Sequence, residues 1–146
     1  MANTTQDLRV VHSLANQMAP QQDGKNIAGR VYYTGQLCVK DGNGRLDNPG
    51  DPTLAVLGVF RGCQYDAAAQ TALAADAEEY TVQPGEYFHL KNSGANPIGA
   101  AAKPGTKVYA EDNQTVGTLS TAGSLCGKFM GFDQGRLKIA VGVSYQ

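Results

Sequence analysis

The stretch VYAEDNQTV, residues 108–116, places two carboxylates beside two amides, and these residue types can move protons or bind metal ions. Acid–base catalysis needs carboxylates that are held in a cleft with separated pKa values. Here Glu111 and Asp112 are direct neighbours between two apolar flanks, and Asp112 and Asn113 are common turn residues. The pattern favours the solvated tip of a β-hairpin over an acid–base or metal site.

A second group of acidic and amide side chains lies in the loop DGNGRLDNPGDPT, residues 41–53. A calcium-binding EF-hand loop needs oxygen ligands at alternating positions, a central glycine and a final glutamate. Arg45 stands at the third ligand position, Leu46 replaces the glycine and Pro52 replaces the glutamate. The loop therefore favours Asx turns over calcium, and the sequence predicts no metal and no cofactor.

Cysteine and histidine side chains could form a thiolate–imidazole pair that attacks a substrate. The three cysteines, Cys38, Cys63 and Cys126, are far apart and show no CxxC spacing. His12 lies in a polar N-terminal stretch, and His89 lies in an alternating strand pattern. The cysteine spacing therefore predicts buried reduced thiols. Because the spacing also suggests no third residue that would orient a Cys–His pair, we predict no catalytic residues and no enzymatic activity.

Composition limits the remaining classes of function. The chain has 146 residues, of which 42% are hydrophobic and 17% charged, as expected for one folded domain. Twelve Lys/Arg against thirteen Asp/Glu give a net charge of -1, which argues against direct nucleic-acid binding. No stretch approaches the roughly 20 apolar residues of a membrane helix, and the N-terminus lacks the apolar core of a signal peptide. We expect a soluble protein made in a cytosol, with no membrane contact.

Short apolar runs between regularly spaced turn residues predict an all-β fold, a small β-barrel or sandwich of roughly eight to ten short antiparallel strands with an extended N-terminal arm. The predicted elements are two strands in 29–42, one in 54–65, a hairpin or corner at 80–90, a hairpin at 106–119 and a terminal hairpin at 124–145. In the terminal hairpin the turn is at 133–135, and the residues predicted to share one face are Leu137, Ile139, Val141 and Val143. The Ala-rich stretch 66–79 favours a loop over a short helix, because only Leu73 offers a sizeable apolar anchor.

Residues 1–28 are polar and form the predicted N-terminal arm, which precedes a β domain at 29–146. The only apolar cluster in the arm consists of Val10, Val11, Leu14 and Met18. A segment this polar cannot form a core alone. It is either a flexible tail or an arm that orders on a neighbour, and the sequence leaves both open.

Four segments, taken in order, resemble a known family. They are GVFRG at 58–62, VQPGEYFHLKNSGANPI at 82–98, PGTKVYAEDNQTVGTLS at 104–120 and AGSLCGKFMGFDQGRLKIAVG at 122–142. This series resembles the capsid cement or head-decoration proteins of tailed bacteriophages, with VYAEDNQTV as its most distinctive part. The resemblance covers about residues 54–143 and leaves residues 1–28 and 41–53 uncovered.

The resemblance implies a non-enzymatic, β-barrel-like virion protein that is made in the host bacterial cytoplasm. It would bind the major capsid protein on the capsid exterior as a homotrimer, at or near local threefold positions. The alternatives are a tail or baseplate component, or a small β-barrel ligand-binding module. The candidate contacts with the shell or a neighbouring subunit are Arg9, Val10, Val11 and Leu14 in the arm, and Tyr87, Phe88, Tyr109 and Phe132 in the β domain. Burial in the core is the alternative for the aromatic residues.

Overall fold

The computed structural model of the chain describes residues 2–11, 22–61 and 67–142, and these ranges form an all-β sandwich of two sheets. In chain order the elements are β1 Gln22–Lys25, β2 Leu37–Lys40, β3 Leu46–Asp47, β4 Val56–Phe60, α1 Ala67–Thr71, β5 Glu79–Gln83, β6 Gly85–Tyr87, β7 Lys91–Asn92, β8 Lys107–Ala110, β9 Thr115–Gly117, β10 Ser124–Asp133 and β11 Arg136–Val141. The strand orders are β1-β5-β4-β2-β3 and β6-β11-β10-β8-β9-β7. Over the described ranges the sheets do not close into a barrel, so the sandwich is the predicted form that is confirmed.

The main hydrophobic core lies between the two sheets. Strands β2 and β4 contribute Leu37, Val39, Val56 and Val59, and the six-stranded sheet contributes residues such as Tyr87, Val108, Val116, Phe129 and Ile139. The alternate residues Cys38 and Phe60 point to the opposite face, where they join Tyr32 in a second, smaller core. Because both faces of β4 are buried, its sequence reads as a continuous apolar run rather than an alternating one.

Two predicted hairpins are confirmed. Strands β10 and β11 pair antiparallel around Gln134 and Gly135, which both have positive φ. Strands β8 and β9 pair antiparallel around residues 111–114. The predicted inward residues Leu137, Ile139 and Val141 are buried together, whereas Val143 lies outside the described residues.

Residues 80–90 form the predicted corner rather than the alternative hairpin. Strand β5 pairs with β4 in one sheet and β6 pairs with β11 in the other, and only Pro84 separates β5 from β6. Gly58 of β4 lies against this crossing, since a Cβ at Gly58 would come within 2.7–2.9 Å of backbone atoms of Gln83 and Pro84. The close approach explains why a glycine stands inside an apolar strand.

One of the two strands predicted in 29–42 is absent from this stretch, where only β2 is a strand. Tyr32, in the part of this stretch that forms no strand, is nevertheless buried, and its hydroxyl makes two hydrogen bonds. Its hydroxyl donates to the Leu46 carbonyl at 2.7 Å and accepts from the Ile27 N–H at 2.9 Å. The β-branched and aromatic pattern there reflects burial of Tyr32 and not strand pairing.

The Ala-rich stretch that was predicted as a loop contains the five-residue helix α1. Its anchor is Gln70, which is buried and whose Oε1 accepts the N–H of Tyr32 at 2.7 Å. The prediction was wrong because it considered only apolar side chains as anchors, whereas the side chain that fixes this helix is polar.

Candidate interaction surfaces

Residues 2–11, here called the N-terminal segment, lie along the β domain of the same chain. The N–H of Thr4 donates to Asn113 Oδ1 at 2.7 Å, and the N–H of Asn113 donates to Asn3 Oδ1 at 3.0 Å. Further along, the N–H of Leu8 donates to the Thr34 carbonyl at 2.6 Å. The segment therefore touches the β8–β9 hairpin of one sheet and the loop that precedes β2 of the other.

Val11, at the end of this segment, is held through both of its backbone groups. Its carbonyl accepts the N–H of Phe88 at 2.7 Å, and its N–H donates to His89 Nδ1 at 3.4 Å. His89 Nε2 lies 2.9 Å from the Gly35 carbonyl oxygen. Because a carbonyl can only accept, Nε2 is the donor of this contact, while Nδ1 accepts the N–H of Val11. His89 thus links the N-terminal segment to Gly35.

Two parts of the predicted arm, residues 1–28, belong to the folded domain. Residues 22–25 are β1, an edge strand of the five-stranded sheet, and β1 pairs with β5 over its full length. Residues 2–11 pack on the chain itself, as described above. Residues 12–21 lie outside the described part of the chain.

The four candidate contact residues of the arm are placed as follows. Arg9 is exposed, Val10 is half-buried against the main core, and Val11 is fixed by its backbone. Leu14 lies outside the described residues. Val10 and Val11 therefore contact their own chain, and a contact of this region with a capsid or a neighbouring subunit stays a prediction.

The tip of the β8–β9 hairpin is buried, although its composition predicted a solvated turn. Asp112 and Asn113 are only 4% and 2% exposed. Asp112 Oδ1 accepts the N–H of Gln114 at 2.9 Å, as in an Asx turn, and Gln114 Nε2 donates to the Ala2 carbonyl at 2.9 Å. The prediction of solvation was wrong because part of the cover is the N-terminal segment, which is more than a hundred positions away in sequence.

Two carboxylate oxygens at this tip, Glu111 Oε2 and Asp112 Oδ2, are buried and have no hydrogen-bond partner in the described structure. A Cβ on Gly117 would collide with Glu111 Oε2 and would come within 2.8 Å of the Asn96 carbonyl oxygen. Within the described ranges, no three His, Cys, Asp or Glu side chains are grouped so that they could hold a metal ion.

The loop at 41–53 contains the predicted Asx turns. Asp41 Oδ1 accepts the N–H groups of Asn43 at 2.8 Å and Arg45 at 3.0 Å. Asp51 Oδ1 accepts both the N–H and the hydroxyl of Thr53, at 2.9 and 2.7 Å. These two carboxylates therefore fix the backbone of the loop through one oxygen each.

Tyr87 is the clearest departure among the aromatic candidates. Its side chain is fully buried in the main core, and its hydroxyl donates to the Gln83 carbonyl at 2.9 Å. Burial in the core, the alternative that the sequence left open for the aromatic candidates, therefore holds for Tyr87. A short alternating pattern such as EYFHLK does not say which of its two faces is buried.

The other three aromatic candidates reach the surface to different degrees. Phe88 is half-buried, with the Arg136 guanidinium 5.2 Å above its ring centre. Tyr109 is half-buried and alternates with the core residues Val108 and Ala110, which places it on the outer face of the six-stranded sheet. Phe132 is 44% exposed near the end of the β10–β11 hairpin.

This hairpin end, residues 130–136, exposes two large apolar side chains. From Gly131 to Asp133, β11 is the only described strand that pairs with β10. Met130 is 38% exposed, next to Phe132 in the hairpin. Met130 was missed by the sequence analysis, although a signal was present. Phe129 and Met130 are adjacent apolar residues, so their side chains point to opposite faces of the strand. A strand with only one buried face can bury only one of the two.

Cys38 and Cys126 are buried and in the reduced form, as predicted. Burial raises the pKa of each thiol to about 12. A nucleophilic cysteine needs the opposite shift, so both groups are protonated near neutral pH. Cys63 lies outside the described residues.

The outer face of the six-stranded sheet and the hairpin end are thus the candidate contact surfaces. In the part of the chain that is described, no helix is long and apolar enough to cross a membrane. Comparison of the sequence with protein-family models and with curated proteins, and of the chain with solved structures, finds no match.

Proposed function

We propose that this protein is a structural virion protein, which binds the major capsid protein on the outer surface of a tailed-phage capsid and stabilises the expanded shell. It acts as a homotrimer without enzymatic activity, is made in the host cytoplasm and contacts neither nucleic acid nor membrane. The resemblance of four sequence segments to cement proteins motivates the proposal. Those segments include every strand of the six-stranded sheet, β6 to β11.

The observation that carries the proposal is the exposed apolar hairpin end. Protein–protein interfaces are built around apolar and aromatic side chains that insert into the partner, and Met and Phe are enriched there. Met130 and Phe132 project from the sandwich on a hairpin end that pairs with no third strand among the described residues. Such an end can enter a depression on a capsid without any change in the sandwich itself.

Co-sedimentation with two kinds of particle tests the proposal. The purified protein is mixed with compact proheads and with expanded capsids stripped of accessory proteins. We expect saturable binding to expanded capsids alone, at a plateau that gives the number of copies per capsomer. Sedimentation of the free protein gives its oligomeric mass in the same buffer.

Variants of the hairpin end make the test specific. Met130→Ser combined with Phe132→Ser removes the two apolar anchors, and Leu119→Ser is the matched control because Leu119 is also 44% exposed but lies outside the hairpin. We expect the double variant to lose capsid binding and the control to retain it. Absence of wild-type binding to either particle would remove the decoration role and favour a tail or baseplate component, for which stacked rings should appear by electron microscopy.

A further inference from the structure

We infer that the outer face of the six-stranded sheet is the docking face, and that its partner is an acidic patch on the expanded capsid. This inference rests on the proposed function and adds the side of the molecule and the charge of the partner. It is carried by Lys107 and Lys128, which the strand register places directly opposite each other on β8 and β10.

Both lysines lie on the outer face. Lys107 alternates with the core residue Val108, and Lys128 precedes the core residue Phe129. Residues directly opposite on antiparallel strands have Cβ atoms about 4.5–5.5 Å apart, and like charges there are destabilising. No ion pair to either lysine is found among the described residues, whereas Lys138 on the neighbouring β11 has Glu86 3.6 Å away. The pair is therefore a charge feature that the described part of the chain leaves without an ion pair.

The basic groups around this pair extend over the same face. Lys138 and Arg136 are also outward on β11, since they alternate with the buried Leu137 and Ile139. Both cations lie over the ring of Phe88, at 5.8 and 5.2 Å from its centre. A partner that supplies carboxylates here would neutralise the opposed lysines and cover the Phe88 ring.

The charged residues are unevenly distributed along the chain, although its net charge is only -1. The part that contains the six-stranded sheet is the basic part. Residues 22–83, which include the five-stranded sheet, carry five Lys/Arg and eight Asp/Glu, a net charge of −3. Residues 84–146, which include the six-stranded sheet, carry six Lys/Arg and four Asp/Glu, a net charge of +2. Complementary charge orients an encounter and excludes like-charged partners. An acidic shell would therefore attract the six-stranded side and repel the other.

A pair of double variants tests the docking face. Lys107→Glu with Lys128→Glu reverses the charge of the face, and Lys25→Glu with Lys40→Glu is the matched control, because both control lysines are exposed on the five-stranded sheet. Binding to expanded capsids is measured by co-sedimentation at low and moderate salt. We expect the first variant to bind at least about tenfold more weakly than the control, because like charges facing each other at an interface cost several kcal/mol.

The single variant Lys107→Glu separates docking from folding. It replaces a repulsive cross-strand pair by an attractive one, so the urea midpoint should rise slightly while capsid binding weakens. Unchanged binding of the Lys107/Lys128 variant, or equal loss in the control, would overturn the docking face and leave the proposed function standing. An altered oligomeric mass with normal capsid binding would overturn it as well, by assigning the face to a second copy. Absence of wild-type binding would overturn both proposals.

Discussion

The N–H of Thr4 donates a 2.7 Å hydrogen bond to Asn113 Oδ1, although the two residues are 109 positions apart in the sequence. Both residues are buried, at 7% and 2% exposure. The bond ties the start of the described chain to the tip of the β8–β9 hairpin. The N-terminal segment is therefore part of the folded domain. The motif VYAEDNQTV, residues 108–116, forms part of the surface on which this segment packs.

Replacement of Asn113 by alanine should destabilise the fold. The variant leaves the buried N–H of Thr4 without its acceptor, and an unsatisfied buried donor costs about 1–3 kcal/mol. We expect a lower urea midpoint and faster proteolysis within residues 2–11. Asn43→Ala is the control, because Asn43 is exposed and its contact with Asp41 is made through its backbone N–H. Equal midpoints for the two variants would contradict the structural role of Asn113.

Gly58 should be irreplaceable at the crossing between the sheets. A Cβ there would meet backbone atoms of Gln83 and Pro84, which cannot move aside as a flexible side chain could. Overpacking of this kind costs about 1–3 kcal/mol, so Gly58→Ala should unfold at a clearly lower urea concentration or fail to fold. Gly99→Ala is the control, since among the described residues beyond its two chain neighbours no atom lies within 4 Å of the added Cβ. A Gly58 variant as stable as this control would contradict the tight crossing.

Local pattern was sufficient where neighbours in sequence are also neighbours in the fold. The alternation of Leu137, Ile139 and Val141 and the turn at 133–135 predicted the terminal hairpin, because a strand repeats every two residues and a hairpin pairs adjacent segments. A change of direction at Pro84 was predicted for the same reason, since Pro and Gly mark turns, but the pattern left both a hairpin and a corner open.

Pattern was insufficient where a distant segment decides burial. Nothing near Asn113 shows that Thr4 covers it, and nothing near Gln70 shows that it receives the N–H of Tyr32. Tyr87 illustrates a third limit, because the two faces of a short strand cannot be told apart until its partner strand is known. The outer lysine pair likewise depends on the register of β8 and β10, which the sequence does not state.

Tyr87 and Phe132 should respond oppositely to truncation, although both were candidate contact residues. Tyr87→Ala removes a ring that is 0% exposed, and loss of a large core side chain costs about 3–5 kcal/mol. Phe132→Ala removes a ring that is 44% exposed, so the change in stability should stay within about 0.5 kcal/mol. Urea unfolding checks both values. A strongly destabilised Phe132 variant would mean that its contact with Phe129, at 5.1 Å between ring centres, belongs to the core.

Alkaline pH should destabilise the protein through its buried thiols. Burial raises the pKa of Cys38 and Cys126 from 9.0 to about 12, so the folded state favours the protonated form. The stabilisation is fully present below the unfolded value and is lost as pH rises toward the folded one. We expect the free energy of unfolding, measured with urea under reducing conditions, to fall between about pH 9 and about pH 12. Other groups titrate there too, including Tyr32, whose pKa burial raises to about 12. Cys38→Ala with Cys126→Ala isolates the thiols, and this variant should show a shallower fall. An equally steep fall in the variant would mean that the thiols ionise without opposing the fold.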